Sequence, residues 1–154
     1  MLSIIGGLYL TKALYHYVKP SKKIEMPLGG TYAVVTGVTS GIGRQFALQL
    51  SKEYNLILLG RNLKETEADI LKYSPSCKIV CISIDFSLRN KDIYDEIKKK
   101  MKTLSVSILV NNVASRSGNF SSLQKQLDTI VVGTKPMVIL TEIFREACET
   151  SGLI

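Results

Sequence analysis

The sequence predicts an α/β fold, a doubly wound parallel sheet covered by helices, and three observations lead to it. Short apolar runs rich in Val, Ile and Leu recur at Ala33–Thr36, Leu56–Leu59, Ile79–Ile84 and Val106–Val110. None alternates strictly with polar residues, which suits strands buried on both faces. Stretches with helical spacing separate the runs, and strand–helix alternation with right-handed crossovers makes a parallel sheet. With 154 residues, 45% apolar and 21% charged, the chain has room for one domain with its own core.

Each element has its own justification. Between the first two runs, Ile42, Phe46 and Leu50 recur every four residues, a helical spacing. Asn62 followed by Glu65 resembles an N-cap arrangement, opening a helix that presents Leu63, Ile70 and Leu71 inward. Ile93, Ile97 and Met101 repeat in the same way before the fourth run. The lysines that follow, Lys98, Lys99, Lys100 and Lys102, read as a solvated face that complements the dipole at a helix C-terminus. Leu123–Cys148 is helical in pattern, with a kink or restart expected at Pro136, which lacks an amide proton. The sheet is thus expected to hold about four strands. Val106–Val110 would be left as an open edge, making the chain marginal by itself unless a protein partner covers that edge.

The N-terminus differs from the rest. Residues 1–19 form an apolar segment, with Leu2–Val18 interrupted by Lys12 and His16, and are expected to make an apolar helix that associates with a membrane. Seventeen helical residues reach about 25 Å, short of the roughly 30 Å hydrocarbon core. The alternative is an amphipathic helix lying on a membrane or on the domain. Residues 20–30 read as a linker, broken by Pro20, Pro27 and Gly29–Gly30, and 31–154 as a partial nucleotide-binding domain. Lys19, Lys22 and Lys23 would hold that domain on the cytosolic side.

Composition excludes several chemistries. The cysteines Cys77, Cys81 and Cys148 lack CxxC or metal-ligand spacing, and His16 is the single histidine, so neither a metal site nor a histidine triad is expected. The net charge of +7 is spread along a chain with no Trp and no basic–aromatic interleaving, which argues against nucleic acid.

The strongest motif is Thr36-Gly37-Val38-Thr39-Ser40-Gly41-Ile42-Gly43, which follows the first strand and opens the first helix. Glycine lets the backbone turn tightly and lets a pyrophosphate approach, while the amides and dipole of the helix start favour the anion. This is a Rossmann-type arrangement. Gly60-Arg61 ends the second strand. NAD-preferring sites commonly place an acid there for the ribose hydroxyls, whereas Arg61 suits a 2′-phosphate and favours NADP(H). Asp85 follows the third strand, placed either to accept from the adenine amino group or to cap the next segment. Asn111-Asn112-Val113-Ala114 follows the fourth strand, at the edge where open α/β sheets bind ligands. The candidate cofactor residues are therefore Gly37, Thr39, Ser40, Gly41, Ile42, Gly43, Arg61, Asp85, Asn111, Asn112 and Ala114.

Together these residues resemble the short-chain dehydrogenase/reductase family: TGxxxGIG at Thr36–Gly43, the aspartate at Asp85, and an NNAG-like element at Asn111–Ala114. Ile108–Val113 (ILVNNV), with Asp85–Ser87 and Ile93–Lys98, is most similar to its membrane-bound very-long-chain 3-ketoacyl-CoA reductases and related 17-beta-hydroxysteroid dehydrogenases. The resemblance implies an NADP(H)-dependent reductase of 3-ketoacyl-CoA or steroid ketones in lipid metabolism, at the endoplasmic reticulum membrane with its globular part in the cytosol. It also implies a catalytic Ser and a YxxxK pair after a fifth strand, beyond Ile154, so no catalytic residue is assigned here. Tyr15–Lys19 and Tyr94–Lys98 match the spacing by chance, on elements that do not meet a nicotinamide. Ile130 stands where the family carries an Asn, and Ala114 replaces a glycine. Two readings follow: a reductase whose catalytic half lies elsewhere, inactive as this chain alone, or a non-catalytic nucleotide-binding or interaction module.

Overall fold

A computed structural model describes residues 31–87, 92–115 and 122–151. The expected apolar helix, its membrane association and the linker up to residue 30 lie outside these residues. The strands are β1 (Tyr32–Thr36), β2 (Asn55–Gly60), β3 (Ile79–Ser83) and β4 (Val106–Val110). The helices are α1 (Gly41–Leu50), α2 (Lys64–Tyr73), α3 (Asp92–Thr103) and α4 (Leu123–Ser151). The strands form one parallel sheet in the order β3-β2-β1-β4. The four apolar runs are thus the four strands, with ends that move by one residue at most.

Burial on both faces explains their composition. One face, with Ala33, Val35, Leu56 and Leu58, packs under α1 and α2 through Ala47, Leu63 and Ile70. The other, with Val34, Ile57, Leu59 and Ile82, packs under α3 and α4 through Ile97, Met101, Leu140 and Ile143. The β1–β4 register shifts between Tyr32 and Ala33, whose partners are Val106 and Ile108. A bulge at Ser107 absorbs the extra residue, so that Val106 and Leu109 face one core while Ile108 and Val110 face the other.

The helices differ in detail from the sequence pattern. In α1 the buried residues are Gly43 and Ala47, whereas Ile42 is 70% exposed and Phe46 46%. Gly43 has to reach the loop after β4, and that requirement turns the 42–46 face outward. Asn62 does not cap α2: the N-cap is Leu63, with no side-chain cap hydrogen bond. Leu63, Thr66 and Ile70 face inward and Leu71 is exposed, because Thr66 donates from Oγ1 to the Val38 carbonyl at 3.2 Å and sets the helix rotation. In α4 the helix runs through Pro136 without a restart.

The lysine run of α3 is also more than a solvated face. Lys98 pairs with Glu146 of α4 at 2.8 Å, and Lys102 reaches the same carboxylate at 3.7 Å. The three thiols are free. Burial pushes Cys77 and Cys148 above the ordinary thiol value, and burial with the Glu67 carboxylate pushes Cys81 to about 11, so none is a thiolate at neutral pH.

Candidate functional site

Chain order reverses between β1 and β4, and the crevice at the carboxyl ends of two such strands is where open α/β sheets hold ligands. The turn after β1 lies in this crevice. Gly37 and Gly41 have φ of +68° and +60°, the left-handed region that side chains disfavour. A Cβ on Gly41 would meet open space, so glycine is there for its backbone conformation and for what approaches from outside. Ser40 caps α1 without a side-chain hydrogen bond, leaving the first amides of the helix pointing at the crevice.

Gly43 does something else. A Cβ there would overlap the side-chain nitrogen of Asn112 and the carbonyl oxygen of Gly37. It is the packing glycine that lets α1 approach the end of β4. Asn112 completes the joint, its side-chain amide donating to the Thr36 and Gly37 carbonyls at 3.1 Å each. Thr36 is the hub: its Oγ1 donates to the Val110 carbonyl at 3.2 Å and accepts from the amides of Asn112 (2.9 Å) and Val113 (3.0 Å). Asn112 thus braces the turn, whereas Asn111 turns away and donates to Thr141 Oγ1 at 3.2 Å on α4. Ala114 is exposed beyond them.

Thr39, Ser40 and Ile42 are exposed on the same rim. A Cβ on Gly60 would meet Thr39 Cγ2 at 3.8 Å, which places the end of β2 beside the glycine turn. Arg61 follows, exposed, with its carbonyl oxygen accepting from Ser83 Oγ at 3.2 Å. Asp85 closes the row. Hydrogen bonds from the Ser87 hydroxyl (2.7 Å) and amide (2.9 Å) hold its carboxyl below the usual value, and the Arg61 charge adds to this.

Asp85 therefore makes the local turn that was its alternative role, and one of its oxygens is engaged there. Because its pKa is lowered on folding, its small contribution to stability is present at neutral pH and lost as pH falls through the folded-state pKa. In Asp85→Asn that dependence is expected to vanish. The stability gap between wild type and variant, measured by urea unfolding, should be widest near pH 7 and shrink below about pH 4.

Every candidate site residue except Asn111 thus lies along the carboxyl edge as rim or brace, and Asn111 ties that edge to α4. Thr36 and Gly60 belong to the two motifs but not to the candidate cofactor residues, and both also shape the site. The position of Thr36 directly before the first glycine was the available signal; nothing in the sequence marks Gly60 as adjacent to Thr39. Tyr94 is buried under the sheet and Lys98 is paired with Glu146, so this YxxxK match takes no part in the crevice.

A model of the short chain dehydrogenase family matches residues 31–150. A very-long-chain 3-oxoacyl-CoA reductase of Coccidioides immitis is 35% identical over 113 residues, covering 70% of this chain and 32% of that protein. Putative steroid dehydrogenase 1 of Caenorhabditis elegans is 28% identical over 125 residues, covering 71% and 40%. The chain thus spans about a third to two fifths of the length of these relatives. Among solved structures, a metagenomic short-chain oxidoreductase in complex with NADP superposes with a TM-score of 0.66 at 24% identity, over 79% of this chain and 57% of that one. The bulky-bulky ketone specific alcohol dehydrogenase of Comamonas testosteroni gives 0.67 at 21% identity, over 79% and 51%. The parallel sheet and its glycine turn, matched by a family model over nearly all of the described residues, establish that this chain belongs to the short-chain dehydrogenase family.

Proposed function

We propose that this chain binds NADP(H) at the carboxyl edge of its sheet, as the nucleotide-binding part of a reductase of 3-ketoacyl-CoA or steroid ketones in lipid metabolism. The observation that carries the cofactor reading is the turn itself: Gly37 and Gly41 at positive φ, with an uncapped helix start behind them. These residues fit a dinucleotide, because Gly41 leaves room where a pyrophosphate would approach and the α1 amides face it. When bound, the cofactor would supply the hydride.

The roles of the remaining residues follow from their chemistry. Thr39, Ser40 and Ile42 would line the phosphate side, and Gly43 with Asn112 would keep the turn rigid. Arg61 would pair with a 2′-phosphate, and Asp85 would hold the adenine end through the oxygen that Ser87 leaves. Ala114 would flank the nicotinamide side, and Asn111 would act there only by tying the end of β4 to α4. The substrate class rests on the names of the relatives, and the site at the endoplasmic reticulum membrane on the family resemblance with the apolar segment of residues 2–18. Among the described residues, no helix is long and apolar enough to cross a membrane.

NADPH is expected to bind with a fluorescence change and a thermal shift, and more tightly than NADH. In Arg61→Ala the NADPH affinity should fall about tenfold or more, with NADH little affected. Equal binding of the two cofactors by the wild type would sink the 2′-phosphate assignment, and no binding of either would sink the cofactor reading.

The second reading is a non-catalytic nucleotide-binding or interaction module; Tyr94, the only tyrosine in a YxxxK spacing among the described residues, is buried away from the crevice and does not separate the two. On either reading this chain alone should bind NADPH without oxidising it in the presence of a 3-ketoacyl-CoA. Turnover would overturn the module.

A further inference from the structure

The sheet has a second edge, opposite the crevice, and its surface is basic. The chain enters β1 here: the Tyr32 amide donates to Ser105 and the Thr31 carbonyl accepts from Asn55. Helices α1, α2 and α3 all end at this edge, because each runs back antiparallel to the strand before it. Lys52 lies just past α1, Lys72 in the last turn of α2, Lys78 ahead of β3, and Lys99 and Lys102 at the end of α3, all exposed. Lys52 sits over the Tyr73 ring at 5.2 Å, and that ring is itself 51% exposed.

A lysine or two at each helix end would offset the helix dipole. Lys78 belongs to no helix, and the lysines of α3 exceed what one helix end requires. Glu53 follows Lys52 in the sequence, Glu96 pairs with Lys100, and Glu146 is shared between Lys98 and Lys102. The sequence leading into Thr31 continues the theme with Lys19, Lys22 and Lys23, preceded by the apolar residues 2–18. Twelve residues, 19–30, reach at most about 40 Å when extended, so whatever holds residues 2–18 also confines this edge near it.

We propose that this amino edge lies against an anionic lipid surface, with Lys52, Lys72, Lys78, Lys99 and Lys102 facing the headgroups and Tyr73 at headgroup level. Lysine heads gain from the negative surface potential within a Debye length, and an amphipathic ring suits the interface. The orientation leaves the crevice on the opposite side, open to the aqueous phase.

The test uses the full chain with vesicles of neutral phosphatidylcholine or with about 30 mol% phosphatidylserine. At about 0.1 M salt, partition onto the anionic vesicles is expected to be about tenfold stronger, and at about 1 M the preference should disappear. The triple variant Lys52→Gln/Lys78→Gln/Lys99→Gln should lose most of the preference and keep its thermal unfolding transition, whereas Lys64→Gln/Lys125→Gln should keep the preference. Equal partition of the wild type onto both vesicles would overturn the proposal, as would the same loss in both variants. So would a DNA duplex that displaces the chain from anionic vesicles by binding more tightly at equal charge. Insertion of residues 2–18 is read separately, from binding to the neutral vesicles.

Discussion

Gly43→Ala is expected to destabilise the chain by about 3 kcal/mol, at the upper end of what overpacking costs, because the added Cβ meets groups that cannot yield. On one side is the carbonyl of Gly37, whose own backbone is fixed at positive φ; on the other is the Asn112 amide, held by two hydrogen bonds. Relief would require α1 to lift from the sheet, withdrawing the helix start from the crevice. Thermal unfolding should therefore fall by roughly 10 °C, and NADPH binding should be lost even below the new midpoint. Gly41→Ala is the informative contrast. Its Cβ meets nothing, so only the cost of the left-handed backbone, about 1 kcal/mol, should appear in stability. If Gly43→Ala proved as mild as Gly41→Ala, the close packing of α1 on the β4 loop would be wrong.

The second large effect is expected at Thr36. Thr36→Val keeps the shape of the side chain and removes the oxygen that joins Val110, Asn112 and Val113. Two backbone amides then lose their acceptor in a part-buried place, at about 1–3 kcal/mol for each group left unsatisfied. Incomplete burial and some entry of water reduce that sum, so a loss of about 2–4 kcal/mol is expected by urea unfolding. Thr36→Ser, which retains the oxygen, should recover most of it. A valine variant as stable as wild type would show that the hub contributes nothing net. A serine variant as unstable as the valine would shift the explanation to the methyl group.

These two residues show where sequence reasoning stopped. The strands were legible because a parallel sheet covered on both faces demands unbroken runs of Val, Ile and Leu, and the four runs had no competing explanation. The glycine turn was legible because Gly in that spacing between a strand and a helix has few other uses. Helix rotation was not. Ile42, Phe46 and Leu50 make as good a stripe as Gly43 and Ala47, and periodicity cannot see that a backbone contact with Asn112 outranks the burial of two large side chains. Leu71 failed for the same reason, once Thr66 had taken the inward position to reach Val38. Asn62 carried the right chemistry for a cap one residue too early. The position of Asn112 after the fourth strand marks it as a candidate, but its hydrogen bonds to the turn leave no trace in the sequence.

The partners in the Thr36–Asn112 joint are 76 residues apart in sequence. A polypeptide emerging from a ribosome has made the whole glycine turn long before Asn112 exists, and until then α1 is held by Ala47 on the sheet and Arg44 on α2, without its contact to Asn112. Closing so long a loop carries an entropic cost, met only when β4 docks beside β1. The crevice is therefore a late product of folding. A nascent chain halted between β3 and β4 would already hold β1, β2 and β3 with their helices, yet it would lack the brace that shapes the turn.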